Sequence, residues 1–236
     1  MSTAASTAAA PAGSAPWVRP AGEDRDTSID TFELSSARRA LRLLKTNLGR
    51  ERLLELLHDE IEAGTAFLRE NVERSAGRVA SGTTTLRARG LSAAQFTGWL
   101  SRAFAREDVM IAGHPEHYAI HAEPGRNVNI VETLGVHVCS FFMREWDDSV
   151  VPEQDPAQPS AEASPGRRSH LLLEDGTVIG WIATAFEEEP GGFVARLSVT
   201  LPATCGAEVV EQHLEHFAVE FRTWILAAAA DQVTPT

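Results

Sequence analysis

The stretch AEVVEQHLEHFAVEFRTWILAAAA, residues 207–230, decides how this chain is read. At 100° per residue Val210, Leu214, Phe217, Phe221, Trp224, Ile225 and Ala228 fall on one stripe, the 3.6-residue period of a helix laid on a core. That stripe needs a sheet beneath it. His213 and Glu220 sit at one margin of the stripe and His216 just beyond, so a small rotation of the helix brings an imidazole and a carboxylate to the buried side. His216 and Glu220 are four apart and stack on adjacent turns. The spacing suits two ligands of one ion, and equally a solvated pair contributing about 0.2–0.5 kcal/mol. The helix alone leaves both readings open.

Residues 202–206 break the chain before this helix, and upstream of them the period is two. Strands are expected at 109–111, 118–122, 128–134, 136–143, 170–173, 177–186 and 193–201, with turns at 114–115, 123–127, 174–176 and 190–192. A threonine run marks one more strand at 82–89. Ser92 with Gln95 three residues on has the capping-box pattern, opening a helix through Phe96, Trp99, Leu100 and Phe104.

Between 35 and 75 the apolar residues Leu41, Leu44, Leu48, Leu53, Leu57, Ile61, Leu68 and Val72 recur at helical spacing. This reads as a helix pair or one broken helix, with Gly49 and Gly64 as the expected weak points, since an internal glycine costs about 1 kcal/mol relative to alanine. These helices carry more apolar positions than one covering helix needs, so they pack either on a second copy in a two-fold homodimer or on the sheet in cis. Residues 1–30, rich in Ala, Ser, Thr, Pro and Gly, read as a disordered tail. Residues 147–168, rich in Pro, Gln, Ser and Glu, read as a flexible insertion or lid. The domain reading is therefore a tail at 1–30, a helical region at 31–80 and one principal domain at 81–232. The element order predicts an α+β fold, a curved antiparallel sheet gripping a long C-terminal helix. This is the helix-grip or START-like arrangement, which by analogy of fold encloses an apolar cavity between sheet and helix.

Composition narrows the function. The 236 residues carry 33 acidic against 21 basic side chains, a formal charge of -12. Nucleic acid and anionic membrane surfaces bind through clustered cations, so neither is expected as a partner. Two cysteines, Cys139 and Cys205, make no disulfide framework or Cys-x-x-Cys knuckle. No apolar run approaches the roughly 20 residues that span a bilayer, and no secretory signal pattern opens the chain. The expectation is a cytoplasmic protein.

Histidine is concentrated where chemistry is expected. His114, His117, His121 and His137 lie in the meander, and His213 and His216 on the closing helix. Glu132 shares a strand face with Val128, Ile130 and Leu134. A carboxylate pointing with three aliphatics toward a core is costly unless it meets a cation, a metal or good donors. A strand end turning to solvent, or an arginine partner, would equally account for it. One histidine of the 114–117 turn, Glu132 and the His216/Glu220 pair together offer two nitrogens and two oxygens, a set compatible with zinc.

On the Pro115-Glu116-His117 turn, the strand carrying Glu132 and the His216/Glu220 helix, the chain resembles the zinc-dependent diacetylphloroglucinol hydrolase and phloretin hydrolase family over about residues 83–230. The resemblance implies a Zn²⁺ ion held by His117, Glu132, His216 and Glu220, with His114 as substitute for His117 and His213 for His216. Two features depart from that family: a short interval between the turn histidine and the strand glutamate, and the 147–168 loop. The implied activity is hydrolysis of a carbon-carbon bond next to a carbonyl in an acylated phenolic or related aromatic ketone. His121, His137 and Tyr118 are candidates for the acid that protonates the ring carbon or for substrate hydrogen bonding. The alternatives are a non-enzymatic helix-grip carrier of a small hydrophobic ligand, and an interaction module built on the 35–75 helices.

Overall fold

The structure is a computed structural model that describes residues 27–122, 127–145 and 167–233. The expected 123–127 turn and the 147–168 loop lie almost wholly outside the described residues, as does the tail up to residue 26. The chain divides into two compact units, residues 1–43 and 44–236. In the first, helix α1 (Thr27–Leu56) begins eight residues before the expected start at 35, with Asp30 in its first turn. An acid there complements the helix dipole, which compensates for the poor apolar content. Phe32 and Leu34 are exposed.

In the second unit α1 breaks at Gly49, whose φ of 70° suits a residue without a Cβ. The chain is interrupted again at Leu57 before α2 (His58–Ser75). Gly64, the other expected weak point, causes no break. Gly64 is buried inside α2, and a Cβ at this position would run into the backbone of Val138. The glycine therefore serves close packing of α2 on the sheet.

The strands are β1 (Val79–Arg89), β2 (His117–Ala122), β3 (Val128–Leu134), β4 (His137–Glu145), β5 (Arg167–Leu172), β6 (Val178–Glu189) and β7 (Gly192–Pro202). They form one antiparallel sheet in the order β1-β7-β6-β5-β4-β3-β2. Consecutive strands pair as a meander from β2 to β7, and β1 closes on β7 along its whole length, Val79 opposite Pro202 and Arg89 opposite Gly192. A single 3₁₀ turn (Ala203–Cys205) leads into the long helix α5 (Ala207–Val233). Helix α5 touches β1 and β7 at one side of the sheet and β3 near the other, so the sheet curls around it. This is the helix-grip architecture, and the α5 stripe of Val210, Phe217, Phe221, Trp224, Ile225 and Ala228 is buried in the core.

Between β1 and β2 lie α3 (Ala93–Ala103) and α4 (Glu107–Ile111). Ser92 caps α3 with the full capping box: its hydroxyl accepts from Gln95 N–H at 3.1 Å, and the Gln95 side chain accepts from Ser92 N–H at 2.9 Å. The expected strand at 109–111 is helical instead. Glu107 and Asp108 occupy the first turn of α4, where acids favour a helix, and only Met110 of the apolar trio is fully buried. No described helix is long and apolar enough to cross a membrane.

Candidate metal centre and cavity

His117 opens β2 directly opposite Glu132 of β3. Further along, Ile120 pairs with Ile130 and faces the interior, so strict alternation would turn His117, three residues away, to the other side. The register slips between His117 and Ala119. This bulge re-aims the imidazole, as bulges near functional sites commonly do. His117 and Glu132 therefore point inward side by side, beneath the face of α5 that carries His213, His216 and Glu220, and all five are buried.

His117 Nδ1–H donates to the Met110 carbonyl at 3.2 Å, which leaves the Nε2 lone pair facing the site. His216 Nε2 lies 2.8 Å from it. Glu132 Oε2 is 3.5 Å from each of those two nitrogens, and Glu220 Oε1 is 3.9 Å from His117 Nε2. Ligand atoms of His117, His216 and Glu220 all lie within 4.8 Å of one another. Just outside, His213 Nδ1 is 3.8 Å from Glu132 Oε1, and the His114 ring stacks on His216 with centroids 3.7 Å apart. The loop that brings His117 in is clamped by Lys45, whose ammonium donates to the carbonyls of Pro115 at 2.6 Å and His117 at 2.5 Å.

Burial governs the electrostatics. It pushes the Glu132 carboxyl up to about 8, with the charge of Glu116 adding to the shift. Glu220 is raised well above the usual carboxylate range by burial and then by Glu132. Burial lowers His117 to about 3, an effect the Met110 carbonyl opposes and the neighbouring His114, Lys45 and His213 reinforce. His213 falls to about 4 through burial and His114, and His216 is lowered further by burial and the surrounding imidazoles. Without a cation the site prefers neutral imidazoles and protonated carboxyls. Among the described residues the ion-pair partners of Glu132 are all histidines, with no arginine or lysine. His117 Nε2, His216 Nε2 and the Glu220 carboxyl, grouped within 4.8 Å, with Glu132 at 3.5 Å from both nitrogens, would suit a divalent ion of borderline softness such as zinc once the carboxyls ionise. A second grouping of His114, Glu116 and His216 shares His216 but is partly exposed, and a third, His58 with Asp59 and Glu62, is wholly exposed.

The cluster sits at one end of a cavity of about 370 Å³, within the range of small-molecule sites. Glu132, His213 and Glu220 open onto it among mostly apolar walls, including Ile130, Phe141, Phe217 and Trp224. His213 Nδ1 and Trp224 Nε1 are buried without a hydrogen-bond partner.

His117, Glu132, His216 and Glu220 are thus brought together, with both substitutes beside them. Tyr118, His121 and His137 are not brought to the cavity. Tyr118 occupies the bulge, and its hydroxyl lies 3.2 Å from Thr133 Oγ1, on the residue that alternates with Glu132. His121 pairs with Asn129, whose neighbours Val128 and Ile130 face the cavity, so it points away; its Nδ1 lies 3.7 Å from Glu107 Oε2. His137 stacks on Phe67 of α2 at 4.1 Å. Sequence reasoning missed Lys45, where the one signal is its being the sole lysine among arginines, and the Met110 carbonyl, for which there is none.

No family model matches the chain, and no curated protein does. Among solved structures it is similar to Ara h 8.0201, with 11% identity, 65% of this chain and 99% of that one covered, and a TM-score of 0.43. A START superfamily protein from Mycobacterium smegmatis matches with 14% identity, 67% and 100% coverage and a TM-score of 0.39. The Zhui aromatase/cyclase from Streptomyces sp. R1128 matches with 13% identity, 66% and 97% coverage and a TM-score of 0.41.

Proposed function

We propose that this chain is a zinc-dependent hydrolase that cleaves the carbon-carbon bond joining an acyl group to a phenolic or related aromatic ring. The observation that carries the reading is the convergence of His117 Nε2, His216 Nε2 and the Glu132 and Glu220 carboxylates, all buried, at the end of an apolar cavity. When bound there, zinc supplies Lewis acidity toward a carbonyl oxygen and a water that ionises near neutral pH. The apolar walls hold the aromatic body and exclude bulk water from the cluster. The Met110 carbonyl fixes the His117 tautomer, and Lys45 holds the loop on which that imidazole is carried. His213 lines the cavity beside Glu132, its buried Nδ1 without a hydrogen bond and 3.8 Å from Glu132 Oε1, and in this reading it hydrogen-bonds the substrate or hands on a proton. In balance, water oxygen bonds to the acyl carbon, the aryl-acyl bond breaks with its electron pair going to the ring carbon, and that carbon takes a proton. The products are the free arene and a carboxylic acid.

The cavity by itself supports a second reading, a carrier of a small hydrophobic ligand that needs no ion. Metal analysis with a turnover assay separates them. Extensively dialysed protein is expected to retain or rebind one zinc per chain and to release acetate from diacetylphloroglucinol, the compound for which the resembled family is named. Protein that binds no zinc on titration overturns the hydrolase reading and leaves the carrier.

A further inference from the structure

The cavity has a second polar end, and its position in the sheet register is informative. From Glu132 the inward row runs along β3 through Ile130 to Val128, passes level through Met143 onto Leu171 of β5, and continues by Ser169 to Arg167. Glu132 and Arg167 therefore face the same cavity from opposite ends of the strand direction, with aliphatic and thioether side chains between them. Arg167 is paired across the sheet with Thr184, and both line the cavity along with Ser169. Thr97 and Ser101, one turn apart on α3, close the same end. Helix α3 is held there by the Ala94 N–H donating to Glu188 at 3.2 Å, two turns of the pleat beyond Thr184 on β6, and by Phe96 against Phe186 at 5.3 Å.

Among the described residues lining this cavity Arg167 is the one cation. Among the described residues its ion-pair contact is with Glu145 at 4.0 Å, both side chains largely exposed, a geometry that holds the guanidinium weakly. A guanidinium at the mouth of an apolar cavity, flanked by hydroxyls, is arranged to receive a planar or tetrahedral anion through charge-assisted hydrogen bonds. We infer that the ligand is an elongated amphipathic anion: an apolar, ring-containing body that fills the cavity and an acidic group, carboxylate or phenolate in kind, held at the mouth by Arg167 with Ser169 and Thr184. In the hydrolase reading this places the acidic group at the end of the substrate remote from the scissile acyl carbon. The inference stands on the cavity and does not require the ion.

Two dyes of nearly the same body test it. 8-Anilinonaphthalene-1-sulfonate carries an anionic group and N-phenyl-1-naphthylamine carries none. Both are titrated by fluorescence into the full chain at low salt with chelator present, so a failure of the zinc reading leaves the test intact. Arg167→Gln is expected to weaken the sulfonate dye about tenfold, the usual scale of one charge-assisted hydrogen bond, and to leave the neutral dye unchanged. The unchanged neutral dye also shows that the cavity has stayed folded. Arg167→Lys is expected to recover part of the loss, and raising the salt to shrink it. Met143→Trp, which fills the middle of the cavity, is expected to abolish both dyes. Arg167→Gln weakening both dyes equally or neither, or Met143→Trp leaving the sulfonate dye bound, overturns the inference.

Discussion

Replacing Glu132 by glutamine keeps the shape of the side chain and removes its proton chemistry, so it separates the electrostatics of the site from its packing. Burial raises this carboxyl from 4.5 to about 8. Between those values the folded state binds a proton that the unfolded state has released, so metal-free stability falls as pH rises, by up to about 1.4 kcal/mol per pH unit. From pH 5 to pH 8 the loss is on the order of 3 kcal/mol from Glu132 alone, with Glu220 acting in the same direction. The histidines oppose this at lower pH. His117 and His213, lowered to about 3 and 4, stay neutral when folded and charge when unfolded, so their contribution rises with pH and levels off near 6.5. The clean window is therefore pH 6.5 to 8, where the carboxyls act alone. In denaturant titrations with EDTA, wild-type protein is expected to lose stability across that window. Glu132→Gln should be more stable than wild type at pH 8 by roughly 2–4 kcal/mol, and close to it at pH 5. With zinc the order reverses. One ligand in four of a site binding with about 10–16 kcal/mol is worth roughly 3 kcal/mol, so the variant should bind zinc at least a hundredfold more weakly. A stability difference that does not change between pH 5 and pH 8, together with unchanged zinc affinity, refutes the reasoning.

Two further outcomes follow from the same contacts. Lys45→Met removes both hydrogen bonds to the loop carrying His117. It is expected to weaken zinc binding about 10- to 100-fold, the scale of supporting contacts around metal ligands, measured by competition with a chromophoric chelator. Gly64→Ala puts a methyl group into the Val138 backbone, and thermal unfolding should show a loss of about 1–3 kcal/mol, the cost of overpacking.

Much of the architecture was legible because periodicity carries it. The α5 stripe and the capping box at Ser92 stand in the structure, and on β3 Val128, Ile130 and Glu132 face the cavity as alternation requires, with Val131 of the opposite face buried as well. Residues 109–111 were not legible as helix, since three apolar residues cannot display a period and the acids before them decided the outcome. At the site, Glu132 stood out as a carboxylate in an apolar row, and His216 with Glu220 as neighbours one turn apart. The choice of His117 over His114 rested on resemblance, because the cause is a one-residue bulge that no local pattern announces. The same bulge explains why Tyr118 and His121 are not at the cavity. Gly64 looked like a breaker because its role depends on a strand some seventy residues later. Lys45 is hidden for the same reason: its hydrogen bonds are long-range and made to backbone atoms.

Calorimetric titration of zinc into the metal-stripped 236-residue chain at pH 7, with Glu220→Gln alongside, tests most directly whether His117, Glu132, His216 and Glu220 hold one divalent ion. One zinc per chain is expected, bound tightly by wild type and at least a hundredfold more weakly by Glu220→Gln, while the metal-free variant melts at the same temperature as metal-free wild type or higher. A wild type that takes up no zinc, or a variant that binds it as tightly as wild type, contradicts the claim.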